Sequence, residues 1–271
     1  MPDSPPLDFS VCEAELIHLP GAIQASGALV AVDLVSGRVT HVSANLSVFF
    51  ARSLDPRALV GMPWPQCAEI LGLPVSCHAA PVGGHPVFLQ ALELAEIGSV
   101  AIEVYAHAGP GAYIWEFQYA APPLPEISAD CEARVFDPDF HPFSLAQALS
   151  EEVSALTGYD RVMVYHFDSD WSGEIIAECR HPSQVPFLGL HYPATDIPTQ
   201  ARQLYRENAV RTITSVAAPT VTLIAEAAVD PLDLRHAILR AVSPYHIEYL
   251  ANMWVGATLT LSILVEGELW G

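Results

Sequence analysis

The sequence predicts an α+β protein of two domains, each an antiparallel sheet with flanking helices. Three observations carry that expectation. Short apolar runs rich in Val, Ile and Tyr, bounded by Gly, Pro, Ser and Asp turns, occur in both halves of the chain. Longer segments with apolar residues at helical spacing lie between them. The proline-rich run APPLP at residues 121–125 is poorly suited to continuing a strand or a helix, and it divides the chain into 1–125 and 126–271. The 271 residues, 51% of them hydrophobic, suffice to bury a core in each part and argue against disorder.

Taken in order, the polar, proline-rich residues 1–10 read as an arm. GALVAVDLV (27–35) and RVTHV (38–42) read as strands joined by a Ser36-Gly37 turn, and 44–51 as a short helix. Two more strands, 99–107 and 112–119, flank a Gly-Pro-Gly turn at 109–111. In the second part, Leu145, Ala148, Leu149, Val153 and Leu156 set out a linker helix over 142–157. Strands at 161–167 and 174–179 follow, separated by a turn at 170–173. The remainder reads as helix 198–207, strand 211–215, an irregular stretch 217–233 closing in a helix at 234–239, helix 244–253, strand 257–265 and a hairpin at Glu266-Gly267.

Eleven Arg, no Lys and 31 acidic residues leave a net charge of −20. Such a balance repels phosphate backbones and anionic bilayers, so neither nucleic acid nor membrane is an expected partner. No apolar run approaches the roughly 18 residues of a span, and the first residues lack a basic region ahead of an apolar core, which points to a cytoplasmic location. The five cysteines, Cys12, Cys67, Cys77, Cys131 and Cys179, form an odd and scattered set without CxxC. A disulfide scaffold is therefore not expected, and the last four read as ordinary reduced residues. There is no G-x-S-x-G, phosphate-binding loop or H-E-x-x-H, and Cys67, Cys77, His78 and His85 match no standard metal spacing. Neither enzyme activity nor a metal site is expected of this chain.

Three segments in order, VCEAELIHLPGAIQ (11–24), FLGLHYPATDIP (187–198) and SPYHIEYLANM (243–253), together span most of the sequence. They resemble the chromophore-binding region of the bacteriophytochromes, photoreceptors that attach the linear tetrapyrrole biliverdin to an amino-terminal cysteine. The strand–strand–short helix–strand–strand order of the first part resembles a PAS domain, and RVMVY with GEIIAE (161–165, 173–178) resembles the opening hairpin of a phytochrome GAF domain. The resemblance implies a PAS domain followed by a GAF domain, knotted together where the arm near Ile23 passes through the 217–233 stretch. It further implies a red/far-red light receptor whose signal is isomerisation of the D ring, with a homodimeric parent protein.

Biliverdin asks for a nucleophile, cations or hydroxyls for two propionates, and acceptors for its pyrrole N–H groups. By resemblance, Cys12 is the attachment thiol. Arg211 and Arg240 are the propionate partners, since guanidinium binds carboxylate through two parallel hydrogen bonds. Tyr205, Ser243, Thr258 and Thr260 add hydroxyls. Asp196, in the turn it forms with Ile197 and Pro198, accepts from the pyrrole N–H groups, and His246 organises a water between the rings. Tyr165, Tyr192 and Tyr249 line the D ring, with Met253 packed beside the slot.

Departures from the family pattern are Ala25-Ser26-Gly27 for Pro-His-Gly, Thr195 for Ser, and Trp254 where Gly is usual. An indole in a tight turn demands space and a permissive backbone. The chain stops at Leu269-Trp270-Gly271, where the resembling domain continues toward a histidine that bonds the D-ring carbonyl and toward PHY and output domains. The sequence is therefore expected to be a fragment. The competing reading is a PAS–GAF module for another small molecule or for a protein partner alone, distinguished by Cys12 and the Arg211/Arg240 pair.

Overall fold

The computed structural model of the protein describes residues 15–94, 100–121 and 142–271 and forms two compact units. The larger draws its described residues from 10–120 and 207–261, the smaller from 121–206 and 262–271.

The larger unit is built on a seven-stranded antiparallel sheet. Its strands are β1 (Ala22–Gln24), β2 (Gly27–Asp33), β3 (Val39–Ser43), β4 (Val87–Leu94), β5 (Val100–Gly109), β6 (Ala112–Tyr119) and β11 (Thr220–Ala225), arranged β1-β11-β3-β2-β6-β5-β4. Strand β2 explains why the sheet forms. In GALVAVD successive side chains go to opposite faces, and both faces are buried, so the strand reads as a continuous apolar run. Ala28, Val30 and Val32 join one core with Leu46, Phe49 and Phe50 from and after α1 (Leu46–Phe49) and Trp64, Cys67 and Leu71 from α2 (Trp64–Leu71). Leu29 and Ala31 face the other way, onto Ile23, Ile114, Leu232, Leu234 and Leu239.

The second core rests on chain far apart in sequence. β11 lies between β1 and β3, with Ile23 opposite Val221 and Ile224 opposite Val42. On its other edge β1 meets residues 239–241: Gln24 N donates to Leu239 O (2.8 Å) and Ala241 N to Ala22 O (3.2 Å). The chain from 220 to 241 thus passes along both sides of the segment leading from the arm, at the Ile23 position where a knot was expected. The fold departs from the sequence pattern at two places here. The 217–233 stretch is not irregular throughout, because TVTLIA forms β11; its partners on β3 and β1 lie 180 to 200 residues away, and no local pattern announces them. Residues 234–239 are not helical, because the backbone N–H groups of Leu234, Ile238 and Leu239 are taken by the His18 carbonyl and the Glu116 carboxylate instead of by preceding turns.

Two shorter elements complete the larger unit: the antiparallel ribbon of β10 (Val210–Ile213) with β12 (Thr258–Leu261), and the helix α5 (Pro244–Asn252). Ile213, Val216 and Leu250 form their core with Val242, Ile247 and Val255.

The smaller unit packs α3 (Pro142–Thr157) against the sheet β7 (Arg161–Phe167), β8 (Gly173–Arg180) and β9 (His191–Tyr192). Helix α4 (Thr199–Glu207) follows the Asp-Ile-Pro turn. Beyond β12 the expected strand to 265 breaks at Ser262 and resumes as β13 (Leu264–Val265), paired with β14 (Glu268–Leu269) across Glu266 (φ 52°) and Gly267 (φ 84°). Strand β4 is absent from the sequence reading because its Leu, Gln, Ala and Glu favour helices, a preference overridden by pairing with β5.

Gly27 is the tightest backbone approach in the larger unit. A Cβ there would strike the Phe117 carbonyl oxygen and stand 2.7 and 2.8 Å from the two methyls of Leu239. Gly27→Ala is expected to cost about 1–3 kcal/mol, read as a lowered midpoint of chemical denaturation at unchanged slope.

Candidate functional site

The residues singled out in the sequence fall on both units. In the smaller one, the Tyr165 ring on β7 stands 6.2 Å from that of Tyr192 on β9. Burial first, then the Asp196 and Asp168 charges, push the Tyr165 phenol up to about 12. Burial and the same Asp196 charge raise Tyr192. Both phenols are therefore neutral donors at physiological pH. The Tyr165 hydroxyl is buried and has no hydrogen-bond partner among the described residues, which is costly unless something else accepts from it. Asp196, whose carboxyl is raised by partial burial, ends the short 3-10 turn 194–196.

A residue that sequence reasoning passed over holds that turn. Arg202, on α4, donates through Nη1 to the carbonyls of Ala194 (3.1 Å) and Ile197 (2.5 Å) and through Nη2 to Thr199 Oγ1 (3.0 Å). Its guanidinium lies 4.8 Å from the centre of the Trp171 ring. The one sequence signal was an Arg four residues beyond the proline of the turn, on the first turns of a helix. Ile197 and Pro198 are half-buried in this turn, and Tyr205 is half-buried one helical turn further along α4.

In the larger unit, Arg211 on β10 lies directly opposite Thr260 on β12, and Thr258 pairs with Ile213, so both threonines share the face of Arg211. Arg211 does more than wait for an anion. Its guanidinium donates to the carbonyls of Ile238 (3.4 Å), Arg240 (2.5 Å) and Ala241 (3.4 Å). Arg240, only 8% exposed, donates to the Ile17 carbonyl (3.0 Å). Ser243 precedes α5 at the capping position, yet its hydroxyl donates to Glu15 Oε2 (2.5 Å) instead of capping the helix. Arg240 and Ser243 thus fasten the segment at residues 15–17, and Arg211 grips 238–241.

On α5, His246 and Tyr249 stack with centroids 6.2 Å apart and ring planes 16° from parallel. Crowding by protein and, secondarily, the Arg211 charge lower the pKa of His246, although its side chain keeps open surface. Tyr249 and Met253 are also exposed on this helix. Cys12 and Cys131 lie outside the described residues. Cys67 and Cys77 are fully buried in the first core, and burial drives the Cys67 thiol up to about 12, so neither is poised as a nucleophile. Among the described residues no cluster of His, Cys, Asp or Glu is arranged to hold a metal ion, and no helix is long and apolar enough to cross a membrane.

Comparison with known proteins places this architecture. The profile described as GAF domain matches residues 142–271, and that described as PAS fold matches 12–77. A bacteriophytochrome of Xanthomonas campestris is 38% identical over 98% of this chain and 43% of its own length. Cyanobacterial phytochrome B of Nostoc is 34% identical over 98% of this chain and 36% of its own. The crystal structure of the chromophore-binding domain of Stigmatella aurantiaca bacteriophytochrome superposes with a TM-score of 0.77 at 32% identity, covering 96% of this chain and 88% of that one. Fold and profiles together define a PAS–GAF sensory module. The chain belongs to the bacteriophytochrome family, as its chromophore-binding region, and it spans less than half the length of the curated relatives it matches.

Trp254, standing where the family pattern carries Gly, keeps the turn and gives up the burial. It follows α5 with φ 59°, in the left-handed conformation, while Val255 N reaches back to Leu250 O (3.0 Å). The indole is 95% exposed, so its space comes from solvent. A side chain in this conformation costs about 1–2 kcal/mol. Trp254→Gly is expected to stabilise the protein by about 1 kcal/mol in thermal or urea denaturation, because the strain relieved exceeds the entropy Gly adds to the unfolded chain.

Proposed function

We propose that the chain is a red/far-red light photoreceptor module binding a linear tetrapyrrole, specifically biliverdin, through a thioether to Cys12. The observation that carries this reading is the joint use of Arg211, Arg240 and Ser243. In a chain of net charge −20, two guanidinium groups share the 238–241 segment, and Arg240 and Ser243 bind Ile17 and Glu15 of the segment that follows Cys12. Three residues of chain reach at most about 11 Å, so a thiol at position 12 is tethered close to Glu15.

The residues suit such a ligand. The orphaned, neutral Tyr165 hydroxyl is a donor in need of an acceptor, and a bilin offers carbonyl oxygens. Bound in this way, the tetrapyrrole supplies absorption of red light and a double bond able to isomerise at the D ring. The protein supplies the rest. Cys12 would hold the bilin by adding its thiol across the A-ring vinyl group, the carbon–sulfur bond being matched by the hydrogen gained at the neighbouring carbon. Arg211 and Arg240, with the Tyr205, Ser243, Thr258 and Thr260 hydroxyls, neutralise the propionates. Asp196, held in its turn by Arg202, accepts from pyrrole N–H groups, and His246 carries a water between the rings. Ile197, Pro198, Tyr165, Tyr192, Tyr249 and Met253 shape the slot. The division into PAS and GAF domains falls in this reading near residue 125.

Purified protein mixed with biliverdin is expected to turn blue-green and to keep its colour after denaturation. Cys12→Ser should still take up the pigment but release it on denaturation; colour retained on the unfolded variant would assign the link to another cysteine. A protein that never colours would instead favour a PAS–GAF module for another ligand or partner.

Replacing Arg211 or Arg240 by Ala removes a charged partner from a propionate, and the loss is expected to be on the order of 1.5–3 kcal/mol of binding free energy. Titration with biliverdin monitored by absorbance checks this, and unchanged affinity in both variants would remove the arginines from the site.

A further inference from the structure

The backbone of residues 238–241 has a complete set of partners. Its four N–H groups donate in turn to Glu116 Oε2 (3.1 Å), Glu116 Oε1 (2.7 Å), Ala237 O (3.5 Å) and Ala22 O (3.2 Å). Of its four carbonyls, those of Ile238, Arg240 and Ala241 accept from Arg211, and that of Leu239 accepts from Gln24 N. One side of this segment is therefore gripped by the Arg211 guanidinium and the other by a single carboxylate. That carboxylate belongs to β6, more than 120 residues earlier.

Glu116 has no solvent exposure. The face of the sheet it occupies carries Leu29, Ala31 and Ile114, with Leu239 packed on it, alongside the buried His107 and His41. A buried carboxylate is expensive unless its oxygens are used, and here both are. Burial pushes the carboxyl up, the Leu239 and Ile238 amides and the Arg211 charge pull it back toward ionisation, and the balance stands at about 7. His107 on β5 has a ring nitrogen 3.7 Å from Oε2. Two amides of successive residues bound to two oxygens of one carboxylate fix the orientation of the peptide units between Ala237 and Leu239. The same units aim the Ile238 carbonyl at Arg211 and set the start of the backbone from which the Arg240 side chain projects.

We propose that Glu116 is a positioning residue for ligand-carboxylate recognition: by fixing residues 238–239 it holds Arg211 and Arg240 in the geometry that receives the two propionates. The inference rests on the bilin reading above and deepens it, adding a contribution of strand β6 to propionate affinity. Glu116→Gln replaces one acceptor by an N–H₂ group facing a backbone N–H, so one amide is left unsatisfied and the peptide units are free to turn. Glu116→Asp keeps the charge but withdraws it by one methylene.

The test uses biliverdin and its dimethyl ester, in which the propionates are masked, titrated into the Cys12→Ser chain so that binding stays reversible. Glu116→Gln in that background is expected to weaken the diacid about tenfold, the loss of one charge-assisted hydrogen bond, and to change the ester less than twofold. Equal weakening of both ligands would show general damage to packing and overturn the proposal, as would an unchanged diacid affinity. Should Glu116→Gln fail to fold, Glu116→Asp is read by the same difference between the two ligands. A parent chain that binds diacid and ester equally well removes the propionate contacts themselves, and one that binds neither removes the bilin reading; either result removes this proposal too, and both differ from a loss confined to the Glu116 variants.

Discussion

Hydrogen-bond satisfaction of the four-residue segment 238–241 is the constraint on which the larger unit depends. The segment belongs to no helix or sheet ladder, yet it covers the apolar face of the main sheet with Leu239, so its backbone groups have limited access to water. They are satisfied by groups from β1, from the Glu116 side chain and from Arg211. Removing any of these leaves buried donors or acceptors exposed to the full desolvation penalty, which is why residues near 20, 116, 211 and 240 behave as one structural unit. The interleaving of β1 between β11 and this segment follows from the same requirement.

Guanidinium groups do much of this work, and the absence of Lys is consistent with it. Arg202 and Arg211 each bridge two or more carbonyls of a short non-repetitive segment, one at the Asp196 turn and the other at 238–241. A planar fork with five donors can hold several carbonyls in fixed directions, whereas an ammonium offers a point charge on a flexible stem. In so acidic a chain the overall field opposes anionic ligands, so any carboxylate must be received by local cations that are already ordered. Cations held by the backbone lose less conformational freedom when the ligand arrives.

The aromatic cluster of the smaller unit follows a parallel logic. Asp196 raises the pKa values of Tyr165 and Tyr192, and burial does so more strongly, so the carboxylate and two neutral phenols form a set of one acceptor and two donors. Such a set suits a ligand that presents both N–H groups and carbonyl oxygens. Trp254 shows the opposite economy: a large apolar side chain stands in solvent at a left-handed turn after α5.

By itself, the sequence determined the α+β class, the strands whose alternation or apolar continuity is local, and helices such as Pro142–Thr157 and Pro244–Asn252 to within a residue. It also marked the turns at Gly37 and Gly267, where positive φ calls for glycine, and it named the arginines, aromatic residues and Asp-Ile-Pro turn through their resemblance to a known family. Tertiary structure alone decided that 220–225 is a strand, that 234–239 is not a helix, and that Glu116 and Arg202 are the groups that hold the two arginine-gripped turns. The physical reason is range. Periodicity and turn chemistry are written within a few residues, whereas the partner of an unpaired amide can lie two hundred residues away, and only the folded chain brings the two within hydrogen-bonding distance.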